Sequence, residues 1–384
     1  MKEPASAGFF MPGRVARPVC AHTKTGVSMK ALSVLLGLAI AASAQSAPVD
    51  LHTRVDAQMR ANARDHGIPA QAVLVLHNGK VLYRNATGTI AIGAGSAVTP
   101  DTIFPIYSVS KLFANIIALE LVEEGKIDLA APASRYVPDL PLTWRSIRVE
   151  QFLSHVSGVP EFFDGKDLSR PFPPTLAAVF TKLADVPVVS PPGEQTRYTG
   201  TNYLVIEAVL EAVTHKPYRT LVTERIIEPL GLHETWLNLA DVPKDRLIAS
   251  YHAERGHVVP DTPVAWPDYS IAEGNIHASL NDVGKFLSAV AQGKLVSKAG
   301  LARFWRPYRF ANGNDGYFAS GWEYGESGRW HEVGHDGGTK VRVRIMFGEN
   351  LDDNYVLVYL TNGNNDDVWS RVLVDSVQKL TVPE

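Results

Sequence analysis

Cysteine is almost missing from this sequence. Its one thiol, Cys20, lies near the amino terminus, so no internal disulfide can form and no thiolate cluster is available for zinc or iron–sulfur binding. The fold must be held by a buried apolar core, and a chain of this length can build one. Long apolar runs are scarce as well. Only Leu32 to Ala42 is nearly unbroken, and it falls short of the roughly 20 residues that a permanent membrane-spanning helix needs. Neither sign of charge dominates: 37 Lys and Arg face 40 Asp and Glu, a formal net charge of −3. Five of those basic residues and one acid fall within the first 44 positions, so the remainder is more acidic still. That balance argues against nucleic acid or an anionic membrane as partner and leaves a small molecule or peptide. No internal repeat, low-complexity block or long linker follows Pro48.

The amino-terminal region has the layout of an export signal. Met29-Lys30 is followed by the apolar run and then by Ala42-Ser43-Ala44, with small residues at the two positions that a signal peptidase reads. Translation is expected to start at Met29 and the signal to end at Ala44, with Ala47 as a second small residue at a cut. The mature protein is then periplasmic or secreted, with no integral membrane segment.

Periodicity beyond Pro48 changes twice. Residues 51–65 read as a helix, and Ala72 to Leu76 and Lys80 to Tyr83 are apolar runs flanking the hairpin signal His77-Asn78-Gly79. From about 106 to 225 the pattern is mostly helical, broken by proline-rich loops. Strands return where Val341, Val343, Ile345 and Phe347 alternate with Arg342, Arg344 and Met346, and again from Tyr355 to Leu360; a helix at about 367–380 closes the chain. These observations predict an α+β fold: one antiparallel sheet built from both ends of the chain, about 48–105 and 270–384, flanked by helices, with a mainly helical lobe of about 106–269 inserted. A site between sheet and lobe is expected.

Ser108-Val109-Ser110-Lys111 stands where that helical stretch begins. On a helix, positions three apart share a face, which brings the Lys111 amine within reach of the Ser108 hydroxyl. Unsatisfied N–H groups of a first turn can also stabilise negative charge on a substrate oxygen. Two further segments carry chemistry. Pro192-Gly193-Glu194 leads to Tyr198 at a loop end, where a phenol beside an ammonium is expected to have a lowered pKa and act as a base. Gly334-His335-Asp336-Gly337-Gly338 precedes the Val341 strand, and its glycines permit close approach of a ligand.

Together these segments resemble the serine β-lactamase-like family, in the branch of class C β-lactamases, D-alanyl-D-alanine carboxypeptidases and related esterases. The resemblance runs from about Ala72 to Asn362. It rests on Ser108 to Lys111, on Leu153-Ser154-His155-Val156-Ser157-Gly158, on the Tyr198 element, on Glu228-Pro229-Leu230-Gly231-Leu232, and on His335-Asp336-Gly337-Gly338, all in the family's order. It implies an antiparallel sheet with helices on both faces and a helical lobe. It also implies that Ser108 attacks an acyl carbonyl, that Lys111 and Tyr198 share the proton traffic, and that the Ser108 N–H and one from the strand after Gly338 form an oxyanion hole. His335, Asp336, Gly337, Gly338 and Asn202 fall on the substrate side of the site.

Two positions depart from the family pattern. Tyr198-Thr199-Gly200 stands where relatives carry Tyr-Ser-Asn or Tyr-Ala-Asn, so the amide that holds both lysine and substrate is missing; Asn202 lies two residues on. Asp336 replaces Thr or Ser, and its carboxylate is expected to repel a substrate carboxylate unless a cation intervenes. Both favour a neutral ester, amide or lactone. His331-Glu332-Val333-Gly334-His335 also spells H-E-x-x-H, the zinc-peptidase pattern, but that chemistry needs a helix. Gly334, Gly337 and Gly338 disfavour one, and on a strand the two histidines stand roughly 13 Å apart. The sequence is thus read as an exported serine hydrolase without metal or cofactor; the competing reading is a non-catalytic relative that binds a cell-wall or peptide ligand in the same cleft.

Overall fold

Ala70–His77 (β1) reads as nearly continuous apolar sequence because both of its faces are covered. Ala72, Leu74 and Leu76 enter the main core, while Val73 and Val75 enter a second core on the opposite face; the two sets alternate, as side chains on a strand must. The computed structural model describes residues 50–93, 95–163 and 171–384. The expected signal segment, with Cys20, Met29 and the cut at Ala44 or Ala47, lies outside them.

β1 turns through Asn78 and Gly79, both at positive φ, into Lys80–Gly88 (β2), the backbone that a two-residue hairpin prefers. After Ile103–Pro105 (β3), Thr235–Trp236 (β4), Tyr251–Glu254 (β5), His257–Pro260 (β6) and His277–Ser279 (β7), the chain returns to the main sheet with Phe318–Ala319 (β8), Trp322–Ser327 (β9), Trp330–Gly337 (β10), Val341–Phe347 (β11) and Asn354–Thr361 (β12). The seven strands of this sheet run in the order β2-β1-β12-β11-β10-β9-β8, and every named pairing is antiparallel.

One face packs beneath the helices Leu51–His66 and Ser370–Thr381, which bury Val55, Met59, Leu373, Val374 and Val377 against Val73, Leu357 and Tyr359. The first of these helices is capped by Asp50, whose side chain accepts from the backbone N–H groups of His52 and Thr53, and ends at Gly67 with φ 58°, as a left-handed terminator should. On the other face, Val341, Val343, Ile345, Val356 and Val358 join the helices Lys111–Glu123, Thr201–Thr214 and Leu280–Ala291 in one core. Fully burying each such side chain contributes about 1.5–3 kcal/mol. Ser279 caps Leu280–Ala291 by accepting from the Asp282 N–H.

Beyond the stretch 106–225, the span to 269 carries strands. It contains β4, which joins β3 and β7 in a three-stranded sheet, and the β5-β6 ribbon. Among the described residues no helix is long and apolar enough to cross a membrane.

Candidate active site

Three side chains from two stretches of the chain meet at one oxygen. Ser108 lies on a 3₁₀ turn, Tyr107–Ser110, that runs directly into the helix beginning at Lys111. The Lys111 ammonium donates to Ser108 Oγ at 3.1 Å, and the Tyr198 hydroxyl donates to the same oxygen at 2.7 Å. Lys111 is fully buried, and its Nζ lies 5.1 Å from the centre of the Tyr198 ring. Tyr107, immediately before the serine, has φ 47°. A bulky residue in that region costs about 1–3 kcal/mol and persists only where its surroundings enforce it; here its hydroxyl bonds Ser250 Oγ at 2.8 Å and the Lys340 ammonium lies over its ring.

Burial works to discharge the Lys111 ammonium, but the Glu273 carboxylate and the Tyr198 phenol outweigh it, and the lysine pKa lies above its ordinary value. For Tyr198 burial is also the largest influence, and it pushes the phenol up. Lys111 pulls in the other direction and Glu273 reinforces burial, so the net displacement is upward. The expectation of a lowered phenol pKa therefore fails: the site is drier than a loop end suggests, and the lysine's charge is already partly matched by a carboxylate.

The carboxylate in question was not singled out from sequence. Glu273, in the short helix Ile271–Gly274, accepts from Lys111 twice, through its backbone oxygen at 2.5 Å and through Oε1 at 3.2 Å. A second acid, Glu161, accepts from the Gly200 N–H at 2.7 Å, and burial raises its pKa to about 7.

The strand element reaches the site through a glycine. A side chain at Gly337 would meet the Ile106 carbonyl oxygen at 2.5 Å, so the absence of Cβ lets the end of β10 lie against the backbone just before Ser108; Gly338 turns the chain with φ 55°. His335 is buried with its ring centre 5.9 Å from that of Tyr198. Its Nδ1 faces the Asp336 carbonyl oxygen at 2.7 Å and so carries the proton, leaving Nε2 an acceptor without a protein partner. Burial is the main cause of its lowered pKa, so the ring is neutral at pH 7.

Asp336 turns away from this group, as alternation along β10 requires. Two cations intervene. Arg342 bonds its carboxylate at 2.9 and 3.1 Å and Arg344 at 3.0 Å, while Arg344 also pairs with Glu323. Burial raises the Asp336 pKa, but the two guanidinium groups, Arg344 before Arg342, bring it below the ordinary value. The expected repulsion of a substrate carboxylate by Asp336 is therefore neutralised by its own neighbours on β11.

Asn202 does not reach Lys111. It is buried, accepts from Ser157 Oγ through Oδ1 at 2.5 Å, and donates through Nδ2 to His155 Nδ1 at 2.9 Å and Thr199 Oγ1 at 3.1 Å. At the second position of Thr201–Thr214, it bonds the 155–157 loop. The His155 ring stacks on Tyr198, with centres 4.3 Å apart, so Asn202 supports the phenol from behind. His277 Nδ1 donates to the Asn275 backbone oxygen at 3.2 Å, and burial lowers the pKa of the ring to about 4. Trp322 and Trp330 are core residues, whereas Trp266 packs on Phe163 and Phe172. The H-E-x-x-H residues lie on β10 and not on a helix; His331 bonds Tyr324 Oη at 2.8 Å. Among the described residues no group of three or more His, Cys, Asp or Glu is placed to hold a metal ion.

An antiparallel sheet clad by helices, with a serine, a lysine one turn on and a tyrosine at one oxygen, defines the β-lactamase and penicillin-binding-protein class of fold. The Beta-lactamase family model matches residues 53–373, and the chain belongs to that family. It is 27% identical over 321 residues to penicillin-binding protein 4 of Amycolatopsis lactamdurans, covering 78% of this chain and 82% of that protein. Among solved structures it resembles the D-amino acid amidase of Ochrobactrum anthropi SV3, complexed with L-phenylalanine amide, with TM-score 0.73 and 21% identity over 86% of this chain and 98% of the other. It also resembles EstCE1, a hydrolase with promiscuous acyltransferase activity, with TM-score 0.70 and 20% identity over 87% and 98%.

Proposed function

We propose that this protein is an exported serine hydrolase that cleaves an ester or amide through an acyl-enzyme. The observation that carries the reading is the convergence of Tyr198 and Lys111 on Ser108 Oγ at 2.7 and 3.1 Å. Ser108 Oγ bonds the acyl carbon as its proton passes to the deprotonated Tyr198 oxygen, with the Lys111 ammonium holding the negative charge in place. Tyr198 returns that proton to the departing alkoxide or amine. Water then attacks the ester, gives its proton to Tyr198, and Ser108 leaves with the same proton as the acid product is released. The carbonyl oxygen is held by backbone N–H groups of Ser108 and of the strand after Gly338; losing one such donor typically costs about 100- to 1000-fold in rate. His335, Gly337 and Gly338 border this oxygen. Export is supported by the Met29 to Ala44 pattern and by the penicillin-binding relatives.

A fluorophosphonate probe tests this directly. Labelling of the folded protein that disappears in Ser108→Ala is the expected result, and no labelling sinks the catalytic reading in favour of ligand binding alone. A chromogenic cephalosporin compared with short-chain nitrophenyl esters then separates β-lactamase from esterase, with the esters expected to be the better substrates.

A further inference from the structure

Tyr107 stands at φ 47° directly before the nucleophile, and the peptide it shares with Ser108 carries the N–H assigned above to the oxyanion site. A trans peptide is planar, with its N–H and C=O pointing in opposite directions, so whatever fixes the Tyr107 carbonyl also aims that N–H. Ser110 fixes it: its Oγ donates to the Tyr107 oxygen at 2.6 Å and accepts from the Ile276 N–H at 3.1 Å. A second set of groups holds the Tyr107 side chain. Its hydroxyl bonds Ser250 Oγ at 2.8 Å, and Lys340 donates to the same Oγ at 2.9 Å while its Nζ lies 5.6 Å from the centre of the Tyr107 ring. Lys340 also pairs with Asp261 at 2.5 Å. Burial works to raise the Asp261 pKa, but Lys340 outweighs it, and the group lies below its ordinary value. Only 12% of the Lys340 side chain is exposed, and its backbone oxygen accepts from the N–H and the hydroxyl of Thr361 on β12, at 3.0 and 2.9 Å, so the cation is mounted on the sheet.

Resting on the hydrolase reading above, we infer that Lys340 is a positioning residue for acyl transfer: with Ser250 it pins the Tyr107 ring, keeps the backbone before Ser108 left-handed, and so aims the Ser108 N–H at the oxyanion. Competing energies decide this. A bulky residue at positive φ is strained, and a cation over its ring together with a hydrogen bond to its hydroxyl is of the same order as that strain. Relaxation to an ordinary negative φ would turn the shared peptide and its N–H with it. Because the Lys340 charge is already matched by Asp261, the residue acts through Tyr107 rather than as a base. Ser250 and Asp261 flank the β5-β6 ribbon, and the Asp261 N–H donates to the Ser250 oxygen at 2.8 Å, so one cation closes the base of the ribbon and braces the nucleophile turn. The consequence falls on the transition state: the Ser108 N–H counts most when negative charge gathers on the carbonyl oxygen, so losing its aim lowers kcat and spares KM.

The test compares the full chain with Lys340→Met, Lys340→Arg, Tyr107→Phe and the double variant Lys340→Met with Tyr107→Phe, on a short-chain nitrophenyl ester. Lys340→Met is expected to lower kcat by about tenfold or more with KM held within about twofold. It should weaken binding of phenyl trifluoromethyl ketone, which Ser108 converts to a tetrahedral oxyanion, by the same factor as kcat. Lys340→Arg keeps a cation over the ring and should restore most of the rate. Tyr107→Phe removes one oxygen and keeps the ring, so its loss of kcat should be smaller. Both substitutions act through one side chain, and the double variant should therefore lose less than the product of the two factors. Losses that multiply, a raised KM at unchanged kcat, or a ketone affinity that does not follow kcat overturn the inference. If Lys340→Met does not fold, Tyr107→Phe decides the matter by the same split of kcat from KM and the same ketone. An active parent with unaffected variants overturns this inference alone, whereas a parent that neither hydrolyses the ester nor takes up a fluorophosphonate overturns the hydrolase reading and this inference with it.

Discussion

The amide of Asn202 donates to His155 Nδ1 at 2.9 Å, and the imidazole it holds stacks on Tyr198. Burial pushes the His155 pKa well below its ordinary value, with Lys111 and His335 adding to the effect, so the ring is a neutral plate whose tilt is set by one hydrogen bond. Removing a buried partner of this kind costs about 1–3 kcal/mol.

Asn202→Leu is accordingly expected to lower stability by about 1–3 kcal/mol and to lower kcat more than it raises KM, because it loosens Tyr198 without touching substrate. Denaturant unfolding and steady-state ester hydrolysis measure the two effects. An unchanged kcat in folded protein would remove Asn202 from the support of the phenol.

The pH profile has a definite sign. Tyr198 is raised from its ordinary value chiefly by burial, and the rate of acylation follows the fraction of phenol that has lost its proton. The logarithm of kcat/KM should therefore climb from about pH 6 to about pH 9 with no plateau. A flat profile over that range would exclude Tyr198 as the titrating base.

Arg344 is buried between Glu323 and Asp336. Arg344→Met leaves two buried carboxylates with one guanidinium and should destabilise the fold by about 3–5 kcal/mol. Because the folded pKa of Asp336 lies below its unfolded value, the stabilisation from pairing is present above the usual carboxylate range and is lost as pH falls through the depressed value. The difference between parent and variant should thus narrow below about pH 4; a gap independent of pH down to acid unfolding would disprove the assignment.

Excess EDTA should leave ester hydrolysis unchanged. His331 and His335 occupy one extended strand, where four residues of rise separate their backbones by roughly 13 Å, too far for a shared ion. Loss of activity restored by zinc would contradict this.

Much of this architecture is legible in the sequence because it obeys single periods. Alternation from Val341 to Phe347 reports β11, and the helices read at 51–65 and 367–380 are found at Leu51–His66 and Ser370–Thr381. The Ser108, Lys111 and Tyr198 cluster was legible through motif order. What escaped depends on pairs distant in the chain. Glu273 sits in a four-residue helix with no periodicity of its own, and its role arises only through its bonds to Lys111, 162 residues away. The pKa of Tyr198 was misjudged for the same reason, since neither burial nor a carboxylate on the far side of Lys111 is visible in a local motif. For Asp336 the condition that a cation intervene is met: in the hairpin register it lies opposite Arg342, and the alternation places Arg342 and Arg344 on one face.

In the main sheet β1 lies between β2 and β12, with Gln71 opposite Thr361 and His77 opposite Tyr355. The earliest strand to be synthesised thus waits for nearly the last one before its second edge is satisfied, a closure across almost the entire chain that makes folding slow to begin and late to finish. Until then β1 and β2 are a hairpin with a bare apolar margin, the arrangement most prone to pairing with a neighbouring copy. Losing β12 would therefore do more than trim an end: it would reopen that margin and part the β1-β2 hairpin from the rest of the sheet.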